Sequence, residues 1–356
     1  MRRSLPRSRE IAVLGACAVP CGHPRQRARL SELLADGHGL RWYQLVELAA
    51  NENMAGLVWH HLQHASVPES VRTALLGLHL RQRALRPVQE TVTARVLDVA
   101  ADAGVDVMLL KGAALRRLVY PHAEMRAMRD IDLIAPVADG RRLYDALVAA
   151  GFEEIDPSTH PIHHPVLRWR ESGFAVGVEI HWVVHGKWQA RFDDLIVRAE
   201  RVDVLGRPAW VPSRVDLLRH VFLHAFGSEL WLGSKFVAVA DLVAMLERWG
   251  ETLDGPLSPA DRAMVRSLAW LDLLAPLTDA ARARVGPVGR SAGVGEFYRG
   301  WPLETGARPL RTWDHFTSTF APSPWWLRLR ARAGPGLVPL ATAWARHVWN
   351  LAEIRW

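Results

Sequence analysis

Val105-Asp106-Val107-Met108-Leu109-Leu110-Lys111-Gly112-Ala113-Ala114-Leu115 and, further on, Asp130-Ile131-Asp132-Leu133-Ile134 are the stretches on which the fold turns. The first reads as an apolar strand over 105–110, a turn at Gly112 and a short helix from Ala113 to Val119. The second reads as a buried strand. Because side chains alternate along a strand, Asp130 and Asp132 share one face while Ile131 and Leu133 take the other. A helix over 139–150 closed by Gly151 follows. After it come two β-rich runs, 166–170 and 174–182, flanking the hairpin signal Glu171-Ser172-Gly173, and a last short strand after Gly206. These elements describe an α/β core over residues 105–212.

Outward from that core the pattern is helical. Leu30, Leu33, Leu34, Trp42, Leu45, Leu48, Val58 and Leu62 recur at three- and four-residue steps, broken by Asp36-Gly37-His38-Gly39. Residues 82–103 read as one more amphipathic helix ending at Gly104. On the other side, Ser213-Arg214-Val215-Asp216 has the form of a capped helix start, and everything beyond reads as helices and loops. The expected organisation is therefore an N-terminal helical region (1–104), the α/β core (105–212) and a C-terminal helical region (213–356).

Composition narrows the class. At 356 residues, 49% hydrophobic and 23% charged, the chain is too apolar for disorder and has too few cysteines for a disulfide scaffold. No apolar run is long enough to span a membrane. Cys17 and Cys21 lack partners at zinc-knuckle spacing, which favours a reducing cytoplasm. Arg2 and Arg3 precede an apolar stretch that ends near Cys17, but Glu10 leaves it shorter than a secretory segment needs, so a cytoplasmic helix is expected. The net charge of +7 sits at the ends: residues 1–30 carry +6 and 308–356 carry +5, which leaves −4 over 31–307. That distribution argues against a nucleic-acid groove through the core, and nucleic acid is not an expected partner.

The chemistry concentrates between Leu110 and His181. Two carboxylates on one face of a strand repel unless a cation sits with them, and hard oxygen ligands suit Mg²⁺. Lys111-Gly112-Ala113 leads into a helix whose first N–H groups can hold a phosphate. Val178-Glu179-Ile180-His181 places Glu179 and His181 on one face of a further strand, which supplies a third carboxylate.

Taken in order, Leu109 to Leu115, Tyr120-Pro121, Arg126, Asp130 to Leu133, Gly151-Phe152 and Glu179 to Trp182 resemble a bacterial group of uncharacterised nucleotidyltransferases in the DNA polymerase beta nucleotidyltransferase superfamily. The likeness is sharp over about 105–185 and looser in the flanks, where Leu218 to Asp241 resembles the family's His-containing helix and later Asp-Leu pair. The resemblance implies an α+β fold, with a polymerase beta-like core around a mixed sheet. It also implies metal-dependent transfer of an NMP group from a nucleoside triphosphate, ATP being the expected one, to an acceptor that is a small molecule, peptide or protein. Asp130, Asp132 and Glu179 would then be the catalytic, metal-ligating carboxylates for Mg²⁺ or Mn²⁺. Lys111, Gly112, Ala113, Arg126 and Arg129 would hold the triphosphate. The alternatives are a catalytically inactive nucleotide-sensing or protein-binding module of the same fold, and a phosphotransferase.

Other clusters point to packing. His160, His163, His164, His181 and His185 have no carboxylate or cysteine at metal-site spacing among them, so no zinc site is expected. His220 and His224, four apart on a predicted helix, are expected to pack on the core. Trp313, Trp325, Trp326, Trp344, Trp349 and Trp356, interspersed with Arg328, Arg330 and Arg332, read as core anchors with snorkelling arginines, a docking surface being the other reading.

Overall fold

A computed structural model describes residues 9–35, 39–155, 162–184, 190–226, 236–253, 257–287 and 336–352. His160, His185, Trp313, Trp325, Trp326, Trp356 and the Arg328 to Arg332 group lie outside the described residues.

Four helices open the chain: α1 (Arg9–Ala16), α2 (Pro24–Ala35), α3 (Trp42–Asn51) and α4 (Ala55–Leu62). They are followed by a long helix, α5 (Glu69–Asp102), which starts well before the expected Gln82 and keeps Pro87 in its interior. Pro87 offers no N–H to the turn before it, yet the helix runs on through that position. The other end is sharp. Gly104 takes φ +63, its N–H bonds to the Ala101 carbonyl, and the Val105 N–H bonds back to the Ala100 carbonyl, a Schellman closure. Val105 is thereby spent on the cap, and the strand expected over 105–110 shrinks to β1 (Met108–Leu109).

The core contains α6 (Lys111–Leu118), β2 (Asp130–Ile134), α7 (Gly140–Ala149), β3 (Glu153–Glu154), β4 (Leu167–Glu171), β5 (Phe174–His181), α8 (Phe192–Ile196), β6 (Glu200–Val204) and β7 (Arg207–Val211). The strands form one seven-stranded sheet in the order β3-β4-β5-β2-β1-β7-β6. β2 runs parallel to β5 and β1 parallel to β7, while the remaining pairs are antiparallel, so the fold is α+β with a mixed sheet. Alternation works as anticipated, with Ile131, Leu133, Val176, Val178 and Ile180 at most 1% exposed on the apolar face. The hairpin between β4 and β5 turns on Ser172 and Gly173, both at positive φ.

The C-terminal region begins with α9 (Arg214–Phe226), where the Ser213 hydroxyl accepts from the Asp216 N–H and donates to its carboxylate. Next comes α10 (Val237–Arg248), almost wholly buried. Close contacts tie the N-terminal helices to the core and to the C-terminal region. Gly56 in α4 lies under the 3-10 turn Ala123–Met125, where an added Cβ would stand 2.1 Å from the Glu124 carbonyl oxygen. Glu52 caps the start of α10, its carboxylate accepting from the Phe236 N–H at 2.7 Å. On the last described helix (Leu337–Ala352), Trp344 and Trp349 are 49% and 68% exposed, so these two do not anchor the core. Among the described residues no helix is long and apolar enough to cross a membrane.

Glu247, near the end of α10, has one carboxylate oxygen buried without a hydrogen-bond partner, and burial pushes its carboxyl up to about 7. The folded state therefore prefers the protonated form. The stability this contributes is complete below the unfolded-state value near 4.5 and is lost as pH rises through 7. Glu247→Gln should raise unfolding free energy above pH 7 by about 1–3 kcal/mol and change it little at pH 4.5, as measured by denaturant unfolding across that range.

Candidate active site

The site is assembled on the polar face of β2 and β5. Parallel pairing sets Asp130 opposite Gly177, Asp132 opposite Glu179 and Ile134 opposite His181. Glycine at 177 leaves room beside Asp130: a Cβ there would meet the Asp130 Cβ at 3.6 Å. The three carboxylates of Asp130, Asp132 and Glu179 therefore occupy adjoining positions of one sheet face. Asp130 and Asp132 also line a cleft of about 200 Å³ with Lys111, Gly112, Arg126, Arg129, Asn53 and His224.

Two basic side chains face these carboxylates. Lys111 donates from Nζ to Asp132 Oδ1 at 2.7 Å. His181, 4% exposed, brings Nε2 to 3.1 Å from the same oxygen and 3.4 Å from Glu179 Oε2. Burial alone would raise Asp132, yet Lys111 and His181 hold its carboxyl well below the usual carboxylate range. Burial and the neighbouring Asp132 and Glu179 push Asp130 the other way, to about 6. Lys111 and His181 are both held above their ordinary values against the cost of burial, chiefly by Asp132.

The expected phosphate cradle differs in detail. Gly112 is not the turn: it lies within the first turn of α6, and the residue with left-handed backbone is Lys111, at φ 41. That conformation is costly for a residue with a Cβ, and here it aims the ammonium at Asp132. A Cβ on Gly112 would stand 3.1 Å from Met128 Cγ, so the glycine serves close approach. The Ala113 side chain lies in a second, smaller crevice with Gln89, Thr93 and Arg116, not among the residues lining the main cleft.

The two arginines carry different loads. Arg129 is exposed at the rim, with its Nε on Asn53 Oδ1 at 3.1 Å. Arg126 is 8% exposed and its fork is taken by Asp241, Nε to Oδ1 at 2.7 Å and Nη2 to Oδ2 at 2.8 Å. Tyr120 donates to the same carboxylate at 2.7 Å. Arg126 thus supports the floor of the cleft instead of offering a free guanidinium to phosphate. Asp241, from the Asp-Leu pair in the looser flank, was not picked out as its partner, because it lies 115 residues away.

The histidines divide as well. His220 is buried at 2% exposure, and burial, with Lys111 and His224 nearby, depresses its basicity strongly. His224 instead is exposed and lines the cleft. His181 departs from the expectation that the histidines lack metal-site carboxylates, since ligand atoms of Asp132, Glu179 and His181 all lie within 4.8 Å of one another. One of those carboxylates is two residues upstream on the same strand and the other arrives through the sheet, so a search among the histidines themselves misses both.

Residues 38–284 match the family of uncharacterised nucleotidyltransferases. The chain belongs to that family. Nucleotidyl transfer is the chemistry of the class, and the protein is a transferase by that membership. No curated protein matches the sequence. Among solved structures, similarity extends to an antigenic nucleotidyltransferase-like protein from Paracoccidioides brasiliensis, with 22% identity over 44% of this chain and 74% of that one and a TM-score of 0.34. It also extends to the antibiotic-resistance factor ANT(2'')-Ia, with 17% identity over 47% of this chain and 86% of that one and a TM-score of 0.33.

The Arg126–Asp241 pair is buried beside the cleft. Removing one partner strands a charge, which costs about 3–5 kcal/mol. Asp241→Asn should lose stability on that scale in denaturant unfolding, whereas Tyr120→Phe, which removes one hydrogen bond to a charged group, should lose only about 1.5–3 kcal/mol.

Proposed function

We propose that the protein is a metal-dependent nucleotidyltransferase that moves an NMP group from a nucleoside triphosphate, ATP foremost, to a hydroxyl on a small-molecule, peptide or protein acceptor. The observation that carries this reading is the register of β2 on β5, which sets Asp130, Asp132 and Glu179 at adjoining positions of one sheet face, Asp130 and Asp132 lining a cleft together with Lys111 and Gly112 at the start of α6.

The donor set fits a divalent ion. Three carboxylates crowd one face, with Lys111 Nζ 2.7 Å from Asp132 and His181 Nε2 3.1 Å from Asp132 and 3.4 Å from Glu179. Asp130, Asp132 and Glu179 would hold Mg²⁺ or Mn²⁺, which when bound supplies stabilisation of the attacking and leaving oxygens at phosphorus. Lys111, released from Asp132, would meet triphosphate oxygens as a point charge. Arg129 reaches the same rim with a guanidinium that can bind phosphate in a fork. The first N–H groups of α6 point anions toward its start. Glu179, about one-fifth exposed at its side chain, is the carboxylate open to an acceptor hydroxyl and able to take its proton.

Incubation with α-labelled and γ-labelled ATP and a panel of acceptors tests the reading. Label from the α-position should appear on the acceptor and γ-label should leave as pyrophosphate. Transfer of γ-label would make the protein a phosphotransferase, and nucleotide binding without transfer to any acceptor would favour the inactive module. Two variant results should accompany transfer. Glu179→Gln should bind ATP normally while losing about a hundredfold or more in turnover, and Asp130→Asn with Asp132→Asn should abolish the metal dependence of ATP binding in calorimetry. Lys111→Ala should weaken ATP more than AMP.

A further inference from the structure

We propose that His181 is itself a metal ligand, so that the ion at this site has a mixed nitrogen and oxygen shell, His181 with Asp132 and Glu179, and is a first-row transition ion, with Mn²⁺ as its probe, in preference to Mg²⁺. The inference deepens the metal-dependent reading above and rests on it.

The spacing is the first argument. Ligand atoms held about 2.0–2.2 Å from one ion stand about 2.8–3.6 Å from each other. His181 Nε2 stands 3.1 Å from Asp132 Oδ1 and 3.4 Å from Glu179 Oε2. Nε2 therefore already stands, from two carboxylates on two different strands, at the separations that ligands of one ion keep.

The second argument is hydrogen-bond economy. An imidazole nitrogen has one N–H to give, yet Nε2 faces two acceptors, and Asp132 Oδ1 is already served by Lys111 at 2.7 Å. The other nitrogen, Nδ1, is buried with no partner, so the ring's polar contacts all lie on the carboxylate side.

The third argument is rigidity. His181 is held by backbone bonds on both sides: its carbonyl accepts from the Ala135 N–H at 3.3 Å, the neighbouring Trp182 N–H bonds to Ile162 at 3.1 Å and the His164 N–H bonds to Ile180 at 2.9 Å. The His163 ring packs edge-on against it at 5.3 Å. Ligands fixed by packing keep the few-tenths tolerance that coordination demands.

Donor chemistry then sets the ion. Carboxylate-only shells suit Mg²⁺, which binds oxygen and keeps its water, while imidazole nitrogen favours first-row transition ions. One nitrogen with two carboxylates moves the preference toward the latter without excluding Mg²⁺.

Electron-spin-echo spectroscopy of the full chain titrated with Mn²⁺ alone tests this, together with Mn²⁺ and Mg²⁺ calorimetry. Wild type should bind Mn²⁺ about tenfold or more tighter than Mg²⁺ and show nuclear modulation from a directly bound nitrogen. His181→Gln should lose the modulation and most of the discrimination while Mg²⁺ affinity changes by about threefold or less. Saturable Mn²⁺ binding without nitrogen modulation in wild type would overturn the proposal, and that spectrum decides without any variant having to fold. Modulation that persists in a folded His181→Gln, or in His181→Asn, would overturn it too by placing the nitrogen elsewhere. If wild type binds neither ion, or Asp132→Asn binds both unchanged, the metal-dependent reading itself fails.

Discussion

Three carboxylates on two adjacent parallel strands repel one another, and the surroundings of β2 and β5 are arranged around that repulsion. Unit charges about 4 Å apart at an effective dielectric near 20 interact by about 4 kcal/mol, a large fraction of a domain's net stability. The structure meets the cost in two ways. Lys111 and His181 hold the Asp132 carboxyl well below the usual carboxylate range, while burial and the neighbouring carboxylates push Asp130 up to about 6. Lys111, whose backbone is left-handed at the start of α6, makes this ion pair with Asp132 in the interior.

The helical regions shape the mouth of this site. Asn53, just after α3, holds Arg129 at the rim, and its neighbour Glu52 accepts from Phe236 to cap α10. α10 in turn supplies Asp241, which receives Arg126 and Tyr120 from the segment leading into β2. α4 presses on that segment at Gly56, where there is no room for a Cβ. The cleft thus has walls from both ends of the chain, and its floor is a buried salt bridge whose role is positional.

Much of this was legible before any coordinates. Strand alternation placed Asp130 and Asp132 on one face and buried Ile131 and Leu133, because a period of two leaves no other arrangement once one face is apolar. Gly104, Gly151 and Ser172-Gly173 marked boundaries because those positions need backbone conformations that few residues adopt cheaply. The errors were local. α5 begins at Glu69, well before Gln82, a Schellman cap takes Val105 out of the strand, and the residue with left-handed backbone is Lys111 instead of Gly112.

What the sequence determined by itself is the chemistry available: an Asp-x-Asp strand, a Glu-x-His strand, a lysine and a glycine before a helix, in an order that resembles one family. Those properties are local, set by side-chain period and backbone preference within a few residues. Only the tertiary structure decided that β5 lies beside β2 with Glu179 at the level of Asp132, that His181 faces both carboxylates, and that Arg126 is consumed by Asp241. Each of these pairs groups separated by between 47 and 115 residues, as from Asp132 to Glu179 and from Arg126 to Asp241, or depends on such a pairing. No periodicity along the chain encodes which distant strand or helix will neutralise a buried charge; that is settled by which packing leaves the fewest charges unpaired.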